Sequence, residues 1–271
     1  MLTLQEAQAE ILTRVRAADR TETVPLARAC GRFAARMLHA AVDNPAFDNS
    51  AMDGYALNSR DLDRLFPTRS TSSIPGLVGA HGFMLPVMGE SSCGSAPQAL
   101  TPGTAMRIFT GAPLPTGADT VVMQEDVQRD GERARFPQNT RTGGQVRRRG
   151  EDFRAGDPLY APGRRLSAYD LALLSAAGIA QVSVFARPSV LVVATGDELV
   201  APGQPLRPGQ IYESNRLATL LLLEALGAEA VDGGTVRDDP AALRALLKGA
   251  GDYDFIITSG GASVGDHDLV K

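Results

Sequence analysis

The sequence predicts a multidomain α/β protein. An N-terminal helical domain carries an inserted small β domain, and part of a three-layer α/β domain with a parallel sheet follows. Glycine and proline interrupt short apolar runs between Pro45 and Phe136, whereas longer apolar runs alternate with helical patterns after residue 187. The first pattern indicates a β domain and the second a parallel sheet. We therefore expect the helical domain over 1–45 and 137–186, the inserted β domain over 46–136, and the α/β domain over 187–271.

The helical domain is predicted from periodicity and from residues that begin or end helices. Residues 1–20 have apolar side chains at helical spacing, and a proline then interrupts the pattern. A second helix is expected over Leu26–Ala41, which is rich in alanine and arginine. A third is expected over Ala168–Ala177, with Ser167 as its N-cap and Gly178 in a left-handed conformation at its end.

The inserted domain is predicted to consist of short strands. Apolar runs cover Gly82–Met88, Ala105–Phe109 and Thr120–Gln124, and turn residues separate them. Such short strands between turns are typical of a small β domain.

The last part of the chain alternates strands and helices. The predicted order is a strand over Ser189–Ala194, a helix from Ser214 to Leu226 ended by Gly227, a strand near Ala230, a helix over Pro240–Lys248 and a strand over Phe255–Thr258. This order predicts parallel strands with right-handed crossovers. Doubly wound sheets have about five or six strands. We therefore expect this domain to be incomplete.

Composition excludes several functional classes. There are 27 basic and 31 acidic residues, a net charge of −4, so no electrostatic footprint for nucleic acid is expected. Two cysteines are too few for a disulfide framework or a four-ligand zinc site, and both are expected to be partly buried. The N-terminus lacks the pattern of a signal peptide, and no apolar run approaches the roughly 20 residues that span a bilayer. We expect a soluble, cytoplasmic protein.

Two segments follow strands of the predicted parallel sheet, where ligands of such sheets bind. They are Thr195–Glu198 and the glycine- and serine-rich Ser259–Asp266. The second suits a phosphate or a polar heterocycle, because backbone amides and hydroxyls can both donate to it. The alternative is a flexible turn. Neither a Walker A loop nor a dinucleotide-binding glycine pattern is present.

Carboxylates near these segments suit Mg²⁺, which prefers oxygen ligands. The candidates are Asp197, Glu198, Asp238, Asp239, Asp266 and Asp268. Asp239 precedes a proline and is interpreted as a helix N-cap, and Asp197 is either a ligand or a turn residue. Glu198 and Asp268 are the preferred candidates.

Two further segments have no periodicity and mix acidic, amide, hydroxyl and aromatic groups. They are residues 47–56, FDNSAMDGYA, and residues 107–119, RIFTGAPLPTGAD. Each is either part of a site or a structural turn.

Six motifs, in order, resemble the molybdopterin molybdenumtransferase family, which comprises the MoeA enzymes and the E domain of gephyrin. They are FDNSAMDGYA, RIFTGAPLPTGADTVVMQED, GEDFRAGD, ATGDEL, GQIYESNR and ITSGGASVGDHD. The resemblance covers essentially the whole chain and implies that the last domain is of the molybdenum cofactor-binding (MoCF or MogA-like) type. Family members continue for well over a hundred residues beyond the match to Lys271, so the resemblance also implies a truncated chain.

The resemblance implies the last step of molybdenum cofactor synthesis. Molybdate is inserted into adenylylated molybdopterin with Mg²⁺-dependent release of AMP, which makes the protein a transferase. Carried over residue by residue, the implied catalytic residues are Asp53, Thr110, Asp152, Glu198, Asp238 and Asp268. The implied cofactor-binding residues are Thr195, Gly196, Asp197, Asn215, Ser259, Gly260, Gly261, Ser263, Gly265 and Asp266, and the implied metal ligands are Glu198, Asp238 and Asp268.

The resemblance also implies partners. Family members are elongated homodimers whose β domain leans over the partner's site, and molybdopterin adenylyltransferase is the expected upstream partner. No nucleic acid or membrane partner is expected. Two alternatives remain: a non-catalytic molybdopterin-binding or scaffold protein like gephyrin, and an inactive truncated fragment with an exposed edge beside its third parallel strand.

Overall fold

The computed structural model describes residues 2–17, 19–65 and 82–260. The chain divides into two compact units. The β unit consists of His39–Leu159 and Ala172–Ile179, and the α/β unit consists of Met1–Leu38, Tyr160–Leu171 and Ala180–Lys271. The predicted multidomain α/β fold class is confirmed, while the four predicted domain ranges stay predictions.

Five helices and seventeen strands lie within the described residues. The helices are α1 Leu4–Arg14, α2 Ser59–Leu65, α3 Ala168–Ala176, α4 Asn215–Leu226 and α5 Pro240–Gly249. The strands are β1 Thr21–Pro25, β2 Leu38–His39, β3 Asn49–Ser50, β4 Gly54–Leu57, β5 Phe83–Ser91, β6 Ala105–Ile108, β7 Thr120–Met123, β8 Gln128–Asp130, β9 Arg133–Phe136, β10 Val146–Arg147, β11 Pro158–Tyr160, β12 Gln181–Phe185, β13 Ser189–Thr195, β14 Leu199–Val200, β15 Ile211–Tyr212, β16 Glu229–Val236 and β17 Phe255–Ser259. None of the described helices is long and apolar enough to cross a membrane.

The β unit contains a six-stranded sheet in the order β7-β4-β6-β5-β9-β8. The three predicted strands of this region are confirmed as β5, β6 and β7. The core of the sheet includes a row of aromatic rings, in which Phe83 and Phe136 stack with their centroids 5.5 Å apart and Tyr55 meets Phe136 edge-on at 5.8 Å. Leu62 of α2 is fully buried in the same core. Because successive side chains of a strand point to opposite faces, this core lies on one face of the sheet, and Ala56, Ile108 and Val121 belong to a second core.

The α/β unit contains the predicted parallel sheet, and its strands lie in the order β16-β13-β17. Side chains of β13 alternate between two cores. On one face, Val190 and Val192 pack against Leu220 and Leu223 of α4. On the other face, Leu191 and Val193 pack against residues of α5 and of the segment that follows it. Helices therefore cover both faces of the sheet, which is the predicted three-layer arrangement.

The ends of the helices show which sequence signals determined them. Asp239 is the N-cap of α5, accepting hydrogen bonds from the N–H groups of Ala241 and Ala242, as predicted. Gly227 ends α4 with a φ of 94°. The helix predicted from Ser214 to Leu226 begins one residue later, at Asn215, and Ser214 is its N-cap residue, without a side-chain capping hydrogen bond.

The predicted helix over Leu26–Ala41 is wrong. Its only helical part is a 3₁₀ turn, Leu26–Arg28, and β2 lies near its end. Gly31 has a φ of 77°, and its N–H donates to the carbonyl of Leu166, while the N–H of Ala34 donates to the carbonyl of Arg164. Backbone pairing with distant residues thus replaces the helix that alanine and arginine favour.

Candidate functional site

The carboxyl ends of the three parallel strands meet at one edge of the α/β unit. Ala194 is the register partner of Ser259, and Thr195 is the register partner of Val236. The N–H of Gly196 donates to the carbonyl of Val236 at 3.3 Å. The segments predicted to follow the first and third strands therefore begin side by side, as parallel topology requires.

Gly260 packs directly on the end of β13. A Cβ atom on Gly260 would lie 2.4 Å from the carbonyl oxygen of Thr195, and its φ is 100°. Thr195 is 7% exposed, and its Oγ1 has no hydrogen-bond partner among the described residues. A buried hydroxyl without a partner costs free energy unless another group satisfies it. The strand edge therefore has a polar group suited to a ligand.

The other predicted residues of this edge lie near β13, the strand that ends at Thr195. Glu198 is exposed, and a Cβ atom on Gly196 would lie 2.5 Å from its Oε2, so the glycine makes room for the carboxylate. The carbonyl of Glu198 accepts from the N–H of Ile211 at 2.9 Å, which joins the loop after β13 to the segment before α4. Asn215 is the first residue of α4, and Asp238 is exposed after β16.

Two of the three predicted metal ligands, Glu198 and Asp238, lie within the described ranges. Within the described ranges, no group of three or more His, Cys, Asp and Glu side chains could hold a metal ion. The predicted residues that lie outside the described ranges are Gly261, Ser263, Gly265, Asp266 and Asp268. Neither Glu198 nor Asp238 forms an ion pair with a described residue. Exposed carboxylates of this kind are chemically suited to Mg²⁺.

In the β unit, the structure brings Asp53 and Thr110 together. Asp53 Oδ1 accepts from the backbone N–H and from the hydroxyl of Thr110, both at 2.8 Å. These two hydrogen bonds, with a smaller contribution from the charge of Arg107, hold the pKa of Asp53 below its ordinary value. Asp53 is therefore an ionised acceptor at neutral pH.

Backbone pairing explains how the two motifs of the β unit meet. The N–H of Gly111 donates to the carbonyl of Ser50, and the N–H of Ser50 donates to the carbonyl of Ala112. The N–H of Leu114 donates to the carbonyl of Asp48. The 47–56 and 107–119 segments thus form a paired unit, so they are more than independent turns.

Asp152 lies in a network of charged groups of the β unit. It accepts from Arg147 Nη2 at 2.6 Å and from Asn44 Nδ2 at 3.3 Å. The two arginines that follow are also paired, Arg148 with Asp48 and Arg149 with Asp43. The run of three arginines is therefore neutralised locally.

The sequence did not indicate several of the residues that lie beside Asp53 or Asp152. Arg147 and Asn44 orient Asp152, and Arg107 and Gln124 lie beside Asp53. The signal for Arg107 was its place in the 107–119 motif, but no sequence pattern indicated that it pairs with Gln124. The expectation of partly buried cysteines is wrong, because Cys30 and Cys93 are both exposed.

Comparisons with known proteins agree with this architecture. Residues 2–178 match the family described as the MoeA N-terminal region (domains I and II), and residues 191–271 match a probable molybdopterin-binding domain. A molybdopterin molybdenumtransferase of Nostoc sp. is 40% identical over 92% of this chain and 55% of its own length. The protein of that name from Haemophilus influenzae is 38% identical over the whole chain and 64% of its own length.

The fold is similar to a solved structure as well. A MoeA protein of Pyrococcus horikoshii superposes with a TM-score of 0.82 at 30% identity, over 96% of this chain and 66% of that one. The chain spans about three fifths of the length of the curated relatives it matches. The matched regions together cover both units, and the chain belongs to the MoeA family.

Proposed function

We propose that the protein acts in molybdenum cofactor biosynthesis as a molybdopterin molybdenumtransferase. The substrates are adenylylated molybdopterin and molybdate, and the products are molybdenum cofactor and AMP. The observation that carries the proposal is the edge where three parallel strands end, with close-packed Gly260 and a buried Thr195 hydroxyl that has no hydrogen-bond partner among the described residues. This edge lies in the part of the chain that matches a molybdopterin-binding domain.

The chemistry of AMP release suits the residues at this edge. A water oxygen forms a bond to the phosphorus of the molybdopterin phosphate and loses a proton to solvent, the P–O bond to the bridging oxygen breaks, and AMP leaves with the bonding electron pair. Such a reaction depends on positioning and on neutralising charge more than on a strong nucleophile. Thr195 and the backbone of Gly196 and Gly260 would position the substrate at the strand ends.

Magnesium would be held by Glu198, Asp238 and Asp268. The ion supplies positive charge to the phosphate oxygens. The carboxylates of Glu198 and Asp238 are exposed and free of ion pairs with described residues, so they are available as ligands.

Homodimerisation is part of the proposal. Four leucines of α4 are exposed, between 56% and 72% of each residue: Leu217, Leu221, Leu222 and Leu226. A row of exposed apolar side chains of this size is typical of a contact surface. Molybdopterin adenylyltransferase, which makes the adenylylated substrate, is the proposed upstream partner.

The test is AMP release by the product of the complete reading frame, supplied with adenylylated molybdopterin, molybdate and Mg²⁺. We expect molybdate-dependent AMP formation that is lost in Glu198→Gln and in Asp238→Asn. Asp252→Asn is the matched control, because Asp252 is an exposed acid before β17, at the opposite end of the sheet. Absence of AMP with all substrates present would contradict the catalytic function and favour a scaffold.

A further inference from the structure

Arg107 of β6 is held in a fixed position beside the Asp53–Thr110 pair. Its guanidinium carbon lies 5.1 Å from the centroid of the Tyr55 ring and 4.9 Å from that of the Phe109 ring. Nη2 donates to Gln124 Oε1 at 2.6 Å, and Nη1 donates to the carbonyl of Gly54 at 3.3 Å. Two rings and two hydrogen bonds thus restrict the side chain.

All of these partners are neutral. Arg107 forms no ion pair with any described residue, whereas Arg147, Arg148 and Arg149 of the same unit are each paired with a carboxylate. A guanidinium has five N–H donors, and the hydrogen bonds to Gln124 and Gly54 use two of them. The half-buried guanidinium therefore has no hydrogen-bonded carboxylate among the described residues and has N–H donors available.

The carboxylate of Asp53, next to Arg107, also has an oxygen available for a further hydrogen bond. Both hydrogen bonds from Thr110 go to Oδ1 of Asp53, and no described residue donates to Oδ2. The site therefore offers a cation with free donors next to a carboxylate with a free acceptor oxygen. A ligand that matches both has an oxyanion and an N–H or O–H group.

We propose that Arg107 binds a phosphate-type oxyanion of the ligand, and that Asp53 Oδ2 accepts a hydrogen bond from an N–H or O–H group of the same molecule. Guanidinium groups bind carboxylate and phosphate oxyanions through two parallel hydrogen bonds. The inference rests on the proposed function, since its substrates carry phosphate groups or are themselves a tetrahedral oxyanion. Gln124 acts as a positioning residue that orients the guanidinium.

The experiment is an NMR titration of the 271-residue chain at constant ionic strength. The probes are inorganic phosphate, AMP and molybdate, and the signals are the side-chain Nε–H of Arg107 and the backbone amide of Thr110. We expect saturable shifts of both signals with at least one probe. The probe that binds most tightly identifies the source of the oxyanion.

Variants separate anion binding from packing. Arg107→Met keeps an unbranched apolar side chain against the two rings but has no charge, and it should weaken binding about tenfold, reported by the Thr110 amide. Arg107→Lys should retain part of the affinity. Gln124→Glu places a carboxylate against the guanidinium and should weaken binding in the same way as Arg107→Met.

Arg129→Met is the matched control, because Arg129 is exposed and, among the described residues, its side chain donates only to the carbonyl of Gly131. It should leave affinity unchanged. Equal affinity in wild type, Arg107→Met and Gln124→Glu would overturn the proposal, as would the lack of saturable shifts with all three probes. The titration is independent of AMP release, so a failure of the proposed catalytic activity is recognised separately.

Discussion

Among the predicted catalytic residues, Asp53 and Thr110 are joined directly by two hydrogen bonds. Their pairing depends on the backbone conformation of the 109–112 turn, since one of the two hydrogen bonds comes from the N–H of Thr110. The other comes from the hydroxyl, which a substitution can remove without changing the backbone.

We expect Thr110→Val to raise the pKa of Asp53 towards its ordinary value, because the hydroxyl that stabilises the charged carboxylate is lost. The rise should be partial, since the backbone N–H still donates. Thr110→Ser keeps the hydroxyl and serves as the control. The measurement is a titration of the Asp53 carboxyl carbon by NMR, and an unchanged pKa in Thr110→Val would show that the hydroxyl has no electrostatic role.

Asp170 is a buried carboxylate at the start of α3. It is 4% exposed and accepts hydrogen bonds from Arg164 Nη2, from the N–H of Ser167 and from the hydroxyl of Ser167, all within 2.9 Å. The Arg164 guanidinium, followed by the N–H of Ser167, holds the pKa of Asp170 well below its usual range. The carboxylate thereby closes the first turn of α3.

Asp170→Ala should lower the free energy of unfolding by about 2 kcal/mol at pH 7, because buried donors lose their acceptor. A depressed pKa stabilises the fold above the ordinary pKa, and this contribution is lost as pH falls through the folded pKa. The difference between wild type and variant should therefore shrink below about pH 4. Denaturant unfolding across pH measures it. Asp130→Ala, at an exposed position, should show no such dependence.

At the scale of elements, the approach of β17 to β13 depends on glycine. Gly260→Ala introduces a Cβ atom 2.4 Å from the backbone of Thr195 and strains a left-handed residue. Gly209→Ala is the matched control, because it has a φ of 84° but no atom within 4 Å of the new Cβ. Both variants incur about 1–2 kcal/mol of backbone strain.

Gly260→Ala should therefore destabilise the α/β unit by clearly more than Gly209→Ala, as measured by chemical denaturation. Hydrogen exchange should locate the added loss in β13 and β17. Equal destabilisation by the two substitutions would mean that the strand ends can separate without cost.

The parallel sheet could be predicted from sequence because each of its strands is recognisable from the residues within it. Ser189–Thr195 is a continuous apolar run, and Asp239 and Gly227 mark helix ends without reference to the rest of the fold. The helix expected over Leu26–Ala41 could not be excluded from sequence, since most backbone hydrogen bonds of this region go to residues more than 110 positions away. Strand register decides such contacts, and register is not encoded in composition.

The same distinction applies to the candidate site. The strand-end residues Thr195 and Ser259 could be located from topology alone. The contact between Asp53 and Thr110, 57 residues apart, requires the pairing of the segments around them, and the motifs indicated the residues without indicating the contact.

At the scale of the whole molecule, the predicted catalytic residues are divided between the two units. Asp53, Thr110 and Asp152 belong to the β unit, and Glu198 and Asp238 belong to the α/β unit. In the proposed homodimer, the β unit of one protomer would serve the site of its partner, and both sets would act on one substrate. Two variants with defects in different units should then complement each other. A mixed dimer of Asp53→Asn and Glu198→Gln protomers retains one site with both residues intact.

We therefore expect each variant of the complete reading-frame product to release little AMP alone, and the two to recover activity when they are unfolded and refolded together. Mixing Asp53→Asn with Thr110→Val provides the control, because both changes lie in the β unit and no mixed dimer restores a complete site. Recovery should follow the fraction of mixed dimers, measured by mass spectrometry of differently tagged protomers. Mixed dimers that form without any gain in AMP release would show that each protomer uses its own two units, because complementation requires a site shared between protomers.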